Sequence, residues 1–160
     1  TASVARFGAD FLTVHAEPEV LKGAVAGRGG DKRLKILGVT VLTSLTQDSL
    51  AESGISMRLE DLVLRRAEFC VRAGADGVVA SAREALTIRQ RFGDDLLIVT
   101  PGVRPAGASA DDQARIVTPS GAIRSGADHL VVGRPIVNAR DPGAAARAIL
   151  DEIAAATPPR

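Results

Sequence analysis

Short, β-branched apolar runs recur along the chain at residues 11–14, 36–42, 78–80, 96–99 and 130–132. They are continuous rather than alternating, the pattern of parallel strands covered on both faces, and longer segments with helical spacing separate most of them. The predicted unit is a strand followed by a helix, repeated. Three strands share one entry phrase, Gly8-Ala9-Asp10, Gly74-Ala75-Asp76 and Gly126-Ala127-Asp128. In each, Gly suits the left-handed end of the preceding helix and Asp suits the tight turn that follows. An internal repeat of about two βα units is implied.

Helix signals fall where this scheme needs them. Ser81-Ala82-Arg83-Glu84 reads as a capping box, with Phe92-Gly93 as the stop. Thr118-Pro119 and Asp141-Pro142 each set an N-cap residue before a proline at the first helical position. Leu59, Leu62, Val63, Ala67, Cys70 and Val71 form the longest amphipathic stripe, which makes Cys70 a core residue rather than a nucleophile. Five such units fit an open α/β sheet or part of a (β/α)8 barrel, and a whole barrel needs roughly 250 residues. Val4-Ala5-Arg6-Phe7-Gly8 has a helix end but no helix start, so further chain is expected before Thr1.

Composition narrows the function classes. In 160 residues, 20 Lys and Arg against 19 Asp and Glu leave a net charge of +1, evenly spread, which argues against nucleic acid as a partner. Aromatic residues are 2%, all Phe, so base-stacking platforms are excluded as well. No apolar run approaches the roughly 18–20 residues of a membrane helix, and the start lacks a signal-peptide pattern. A soluble, cytoplasmic protein with no membrane partner is expected. A single cysteine makes no internal disulfide, and no Cys/His cluster has metal-ligand spacing.

In α/β sheets of this kind ligands lie at the carboxyl ends of the strands, which directs attention to His15, Thr43-Ser44, Ser81, Thr100-Pro101-Gly102-Val103-Arg104 and Gly133-Arg134-Pro135. The last two sets describe a phosphate cup. Glycine lets backbone N–H groups approach an anion, the Arg fork matches phosphate oxygens, and Pro135 can open a short helix. Alone, Gly133-Arg134-Pro135 also reads as a turn with a solvated arginine; Gly102-Val103-Arg104-Pro105 at the end of the preceding strand tips the balance to phosphate. The small, polar stretch between them, residues 105–113, reads as a lid or as a plain surface loop. His15 is equally a ligand contact or a satisfied core histidine. His129, opening the last strand at the opposite rim, is expected to be structural, and Asp31-Lys32-Arg33-Leu34-Lys35 a solvated charge run.

Taken in order, Leu12-Thr13-Val14-His15-Ala16, residues 38–44, residues 76–81, residues 100–105, Asp112-Gln113 and residues 132–136 resemble the C-terminal part of the orotidine 5′-phosphate decarboxylase family, over almost the whole chain. The resemblance implies a (β/α)8 TIM barrel, of which this chain, residues 1–160 as a single domain, supplies strands four to eight. It implies conversion of orotidine 5′-phosphate to UMP and CO2 in pyrimidine biosynthesis by a carboxy-lyase. No cofactor or metal is implied, and the enzyme is expected to be a homodimer. Carried over by position, Thr43 becomes a pyrimidine contact, with Ser44 the runner-up. Arg104 and Gln113 bracket the phosphate lid, and Gly133 and Arg134 bind the phosphate. The family's catalytic signature, Asp-x-Lys-x-x-Asp, does not occur in these residues, so no catalytic residue is assigned here. Glu17-Pro18 departs from the small residues often found there. Two alternatives stand beside this reading: another phosphate-binding barrel of the ribulose-phosphate superfamily (decarboxylase, aldolase or epimerase), and a catalytically dead nucleotide-binding module.

Overall fold

The computed structural model describes residues 1–105 and 117–156. Its elements run α1 (Ala2–Arg6), β1 (Phe11–His15), α2 (Pro18–Arg28), β2 (Lys35–Val39), α3 (Gln47–Glu52), α4 (Leu59–Ala73), β3 (Gly77–Val79), α5 (Ala82–Phe92), β4 (Leu97–Thr100), α6 (Pro119–Arg124), β5 (His129–Leu130), α7 (Arg134–Val137) and α8 (Pro142–Ala156). The five strands pair in sequence order, every pair parallel. This is the repeated βα architecture that the apolar runs predict.

The sheet is rolled. β1 and β5 lie four strand spacings apart, roughly 19 Å on a flat sheet, yet the rings of Phe11 and His129 meet edge to face with centroids 5.3 Å apart. The register explains which residues meet. Following Cα partners from His15 through Val39, Val79 and Val99 leads to His129, but the side chain that reaches His129 across the curve is Phe11, four residues before His15. A stagger of about one residue per strand is the shear of an eight-stranded barrel. Phe11, Thr13 and His15 therefore line the concave face, where the exposed His129 meets Phe11.

The convex face carries the helices. Leu12, Val14 and Ile36 pack toward α2, and Val78, Ala80 and Ile98 join Leu62, Val63, Ala67, Cys70, Ala85 and Ile88 in the main core. Gly38 is required in this layer: a Cβ there would lie 2.2 Å from the Cys70 sulfur, so α4 packs on β2 only because that position has no side chain.

Local signals hold in most places. Gly74 closes α4 in the left-handed conformation, Gly93 ends α5, and Thr118 and Asp141 accept helix N–H groups ahead of their prolines. Five expectations need correction. Ser81 caps α5 by accepting the Arg83 N–H rather than through a capping-box pair with Glu84. β2 ends at Val39 instead of running to residue 42, because Thr40 turns both its N–H and its hydroxyl onto the Val79 carbonyl and the chain then bends. The last strand is His129–Leu130 rather than 130–132, since Val131 makes only one further bond to Thr100 before the chain leaves for α7. Val71 is exposed on the outer side of α4. Leu34, inside the supposedly solvated charge run, is fully buried against α2.

Candidate functional site

The carboxyl ends of β2, β4 and β5 open onto one rim of the rolled sheet. After β2 the chain passes through Thr40, 1% exposed, into a turn in which the Leu45 N–H donates to the Leu42 carbonyl. That turn buries Thr43 and leaves Ser44 exposed. Thr46 then caps α3 through a reciprocal pair with Ser49, so the turn is held at its far end as well.

β4 ends in the fully buried Thr100, and Gly102 takes φ 75°, a conformation that favours glycine. This bend carries Val103 into a small cluster with Ala82, Ala122 and Ala127, and into a parallel bridge with Val117. Arg104 is consequently 7% exposed: its N–H donates to the Val117 carbonyl, its Nη1 donates to the Val103 carbonyl, and its buried Nε has no hydrogen-bond partner among the described residues. A buried guanidinium N–H left unsatisfied costs on the order of 1–3 kcal/mol, so the Arg104 Nε is a donor that an acceptor, an anion included, would stabilise.

β5 is the immediate neighbour of β4, tied at the rim by the Val131 N–H on the Thr100 carbonyl. Two residues later Gly133 caps α7, exposed, with no atom of the described residues within 4 Å of where a Cβ would stand, and the half-buried Arg134 opens the helix. Arg104 and Gly133-Arg134 thus lie at the ends of adjacent strands, and Thr43 lies three strand spacings from β5, about 14 Å along the sheet and less across its curve. Gln113 and residues 106–113 of the expected lid lie outside the described residues.

His15 is exposed at the same rim on the concave side. Among the described residues no cluster of three or more His, Cys, Asp or Glu could hold a metal, and no helix is long and apolar enough to cross a membrane. Burial pushes the Cys70 thiol up to about 12, which leaves it a protonated packing group.

The opposite rim holds what sequence reasoning missed. The Asp of the repeated Gly-Ala-Asp phrase does more than shape a turn: Asp76 Oδ2 accepts the Ile36 N–H of the neighbouring strand at 2.8 Å and pairs with Arg28, and Asp128 Oδ2 accepts the Ile98 N–H at 2.7 Å and pairs with Arg89 at 2.7 Å. The same clamp occurs twice. The repeated phrase was the available signal; its partner arginines, at the ends of helices far away in sequence, were not.

Comparison with known proteins bears on this arrangement. The model of the orotidine 5′-phosphate decarboxylase / HUMPS family matches residues 1–149. The chain is similar to orotidine 5′-phosphate decarboxylase of Rhodopseudomonas palustris strain BisA53, 54% identical over 97% of this chain, and to that of Afipia carboxidovorans, also 54% identical. It spans 66% of the length of each of these relatives. Among solved structures, orotidine 5′-phosphate decarboxylase from Lactobacillus acidophilus superposes with a TM-score of 0.79 at 38% identity, covering 95% of this chain and 66% of that one. The enzyme of that name from Pyrococcus horikoshii gives 0.66 at 28% identity, covering 96% and 67%.

Proposed function

The chain belongs to the orotidine 5′-phosphate decarboxylase / HUMPS family, and from that membership we propose that it carries the pyrimidine- and phosphate-binding half of an orotidine 5′-phosphate decarboxylase. The observation that carries the reading is the pairing, at the ends of adjacent strands, of a buried arginine whose Nε has no partner among the described residues and an open glycine followed by arginine. Arg104, Gly133 and Arg134 hold the phosphate, Gln113 is a further substrate-binding residue by its position in the family pattern, and Thr43 meets the pyrimidine ring. The gap between β2 and β5 suits a nucleoside monophosphate laid across the rim.

In the proposed reaction the bond between the pyrimidine ring and its carboxylate breaks, the electron pair stays on the ring carbon, and a proton replaces CO2. The ammonium that supplies this proton belongs to the Asp-x-Lys-x-x-Asp signature, which is not among these 160 residues. What these residues contribute is binding energy at the far end of the substrate. Phosphate contacts that tighten as the site closes hold the ring in place while charge develops on it, lowering the barrier as well as strengthening binding. The protein is proposed to act as a cytoplasmic homodimer without metal or cofactor.

Competition binding on the purified protein tests the nucleotide assignment. UMP is expected to displace a bound fluorescent nucleotide at far lower concentration than ribulose 5-phosphate; the reverse order would replace this reading with a sugar-phosphate enzyme.

A further inference from the structure

Arg66, in the middle of α4, reaches up to the carboxyl rim and touches the exits of two strands. Its Nη1 donates to the Thr40 carbonyl at 2.6 Å and its Nη2 to Glu17 Oε1 at 2.9 Å. Thr40 is the first residue beyond β2, and its N–H and hydroxyl both donate to the Val79 carbonyl, at 3.1 and 3.0 Å. All three of its hydrogen-bonding groups are therefore committed, two to β3 and one to α4, at the point where the chain turns toward Thr43. Glu17 follows β1, whose exit is held to β2 by the Ala16 N–H on the Val39 carbonyl.

We propose that Arg66 is a positioning residue that fixes the turn after β2, and through it Thr43, against the base end of the substrate. The inference rests on the nucleotide reading above. Arginine suits the task because its planar fork aims two donors at two fixed acceptors, which the single ammonium of lysine cannot do from the same stem. The Glu17 pair is half open to solvent, with 22% and 52% of the two side chains exposed, so its share is orientation of the guanidinium more than stability. The Thr40 bond matters more: without it a carbonyl at a buried residue loses its donor, and the turn shifts until water or another group satisfies it. Such a shift moves the base contact and leaves the ends of β4 and β5, where the phosphate is held, in place.

The test compares UMP with ribose 5-phosphate, which carries the phosphate but no base, by titration calorimetry on the intact protein, together with KM and kcat for orotidine 5′-phosphate. Arg66→Met is expected to weaken UMP binding by about tenfold and to leave ribose 5-phosphate within twofold, with KM rising more than kcat falls. Arg66→Lys, which restores one donor, recovers part of the loss and carries the comparison should the Met variant fold poorly. Equal losses for both ligands, or no loss for UMP, in a protein whose wild type prefers UMP would overturn the inference alone. A wild type with no preference for UMP would overturn the nucleotide reading, and the inference with it.

Discussion

Arg134 and Cys70 show how differently a polar and an apolar setting treat single side chains. Arg134 stands where a phosphate is proposed to bind, half-buried beside an open glycine. Replacing it with alanine removes a charge-assisted contact to the substrate, and kcat/KM for orotidine 5′-phosphate is expected to fall by roughly 2–4 kcal/mol of transition-state stabilisation, about 30- to 1000-fold. Steady-state kinetics on the intact enzyme check this; an unchanged kcat/KM would remove Arg134 from the phosphate site. Cys70, fully buried against Gly38, has its thiol pushed up to about 12 by desolvation. The folded form is thus the one that stays protonated, and the stability linked to this group is intact below the ordinary value of 9.0 and declines as pH rises from there toward 12. A thiol-specific reagent at pH 8 is expected to label denatured protein fully and native protein negligibly.

Between elements, the repeated clamp in which an Asp at the start of one strand accepts an N–H of the strand before it ties helices to the sheet. Its two copies differ in how much charge they bury. Arg28 is 4% exposed and Arg89 16%, and Arg89 has further partners in Asp94 and the carbonyls of Gly93, Leu96 and Gly126. Asp76→Ala removes the only carboxylate that pairs with the buried Arg28 among the described residues, leaves it the Leu34 carbonyl, and is expected to cost roughly 3–5 kcal/mol, the range for breaking a buried pair. Asp128→Ala leaves Arg89 its other acceptors and is expected to cost about 1–3 kcal/mol. Denaturant unfolding of the two variants checks the order; equal losses would mean that burial of the arginine is not the deciding difference. At this scale the helix ends were legible in Gly74, Gly93, Thr118 and Asp141, whose conformational preferences act within a few residues. Arg28 and Arg89 were not, because each meets its Asp across a turn of the barrel.

The whole molecule is a curved sheet with one face packed by helices and the other partly open. Phe11, Leu42 and Val131 are 44–50% exposed, and among the described residues β1 has no strand along its outer edge. A polypeptide of these 160 residues expressed by itself is expected to bind a hydrophobic dye such as ANS and to self-associate with rising concentration, since open edges and apolar faces recruit partners. Light scattering and dye fluorescence decide it: a monomer that binds no dye and melts cooperatively would show that the concave face closes on itself.

The order of elements, the parallel sheet and the residues at its carboxyl rim follow from the chain itself, because apolar runs, caps and glycine positions are short-range preferences that need only neighbouring residues. Thr43, Arg104, Gly133 and Arg134 could be picked out because the parallel topology sends every strand end to the same side. Tertiary structure alone decided that Phe11 meets His129, that Asp76 and Asp128 seek distant arginines, and that Arg66 holds the exit of β2. Each of these contacts depends on the roll and stagger of the sheet, a cumulative geometry to which every strand adds a little and which no local stretch of sequence specifies.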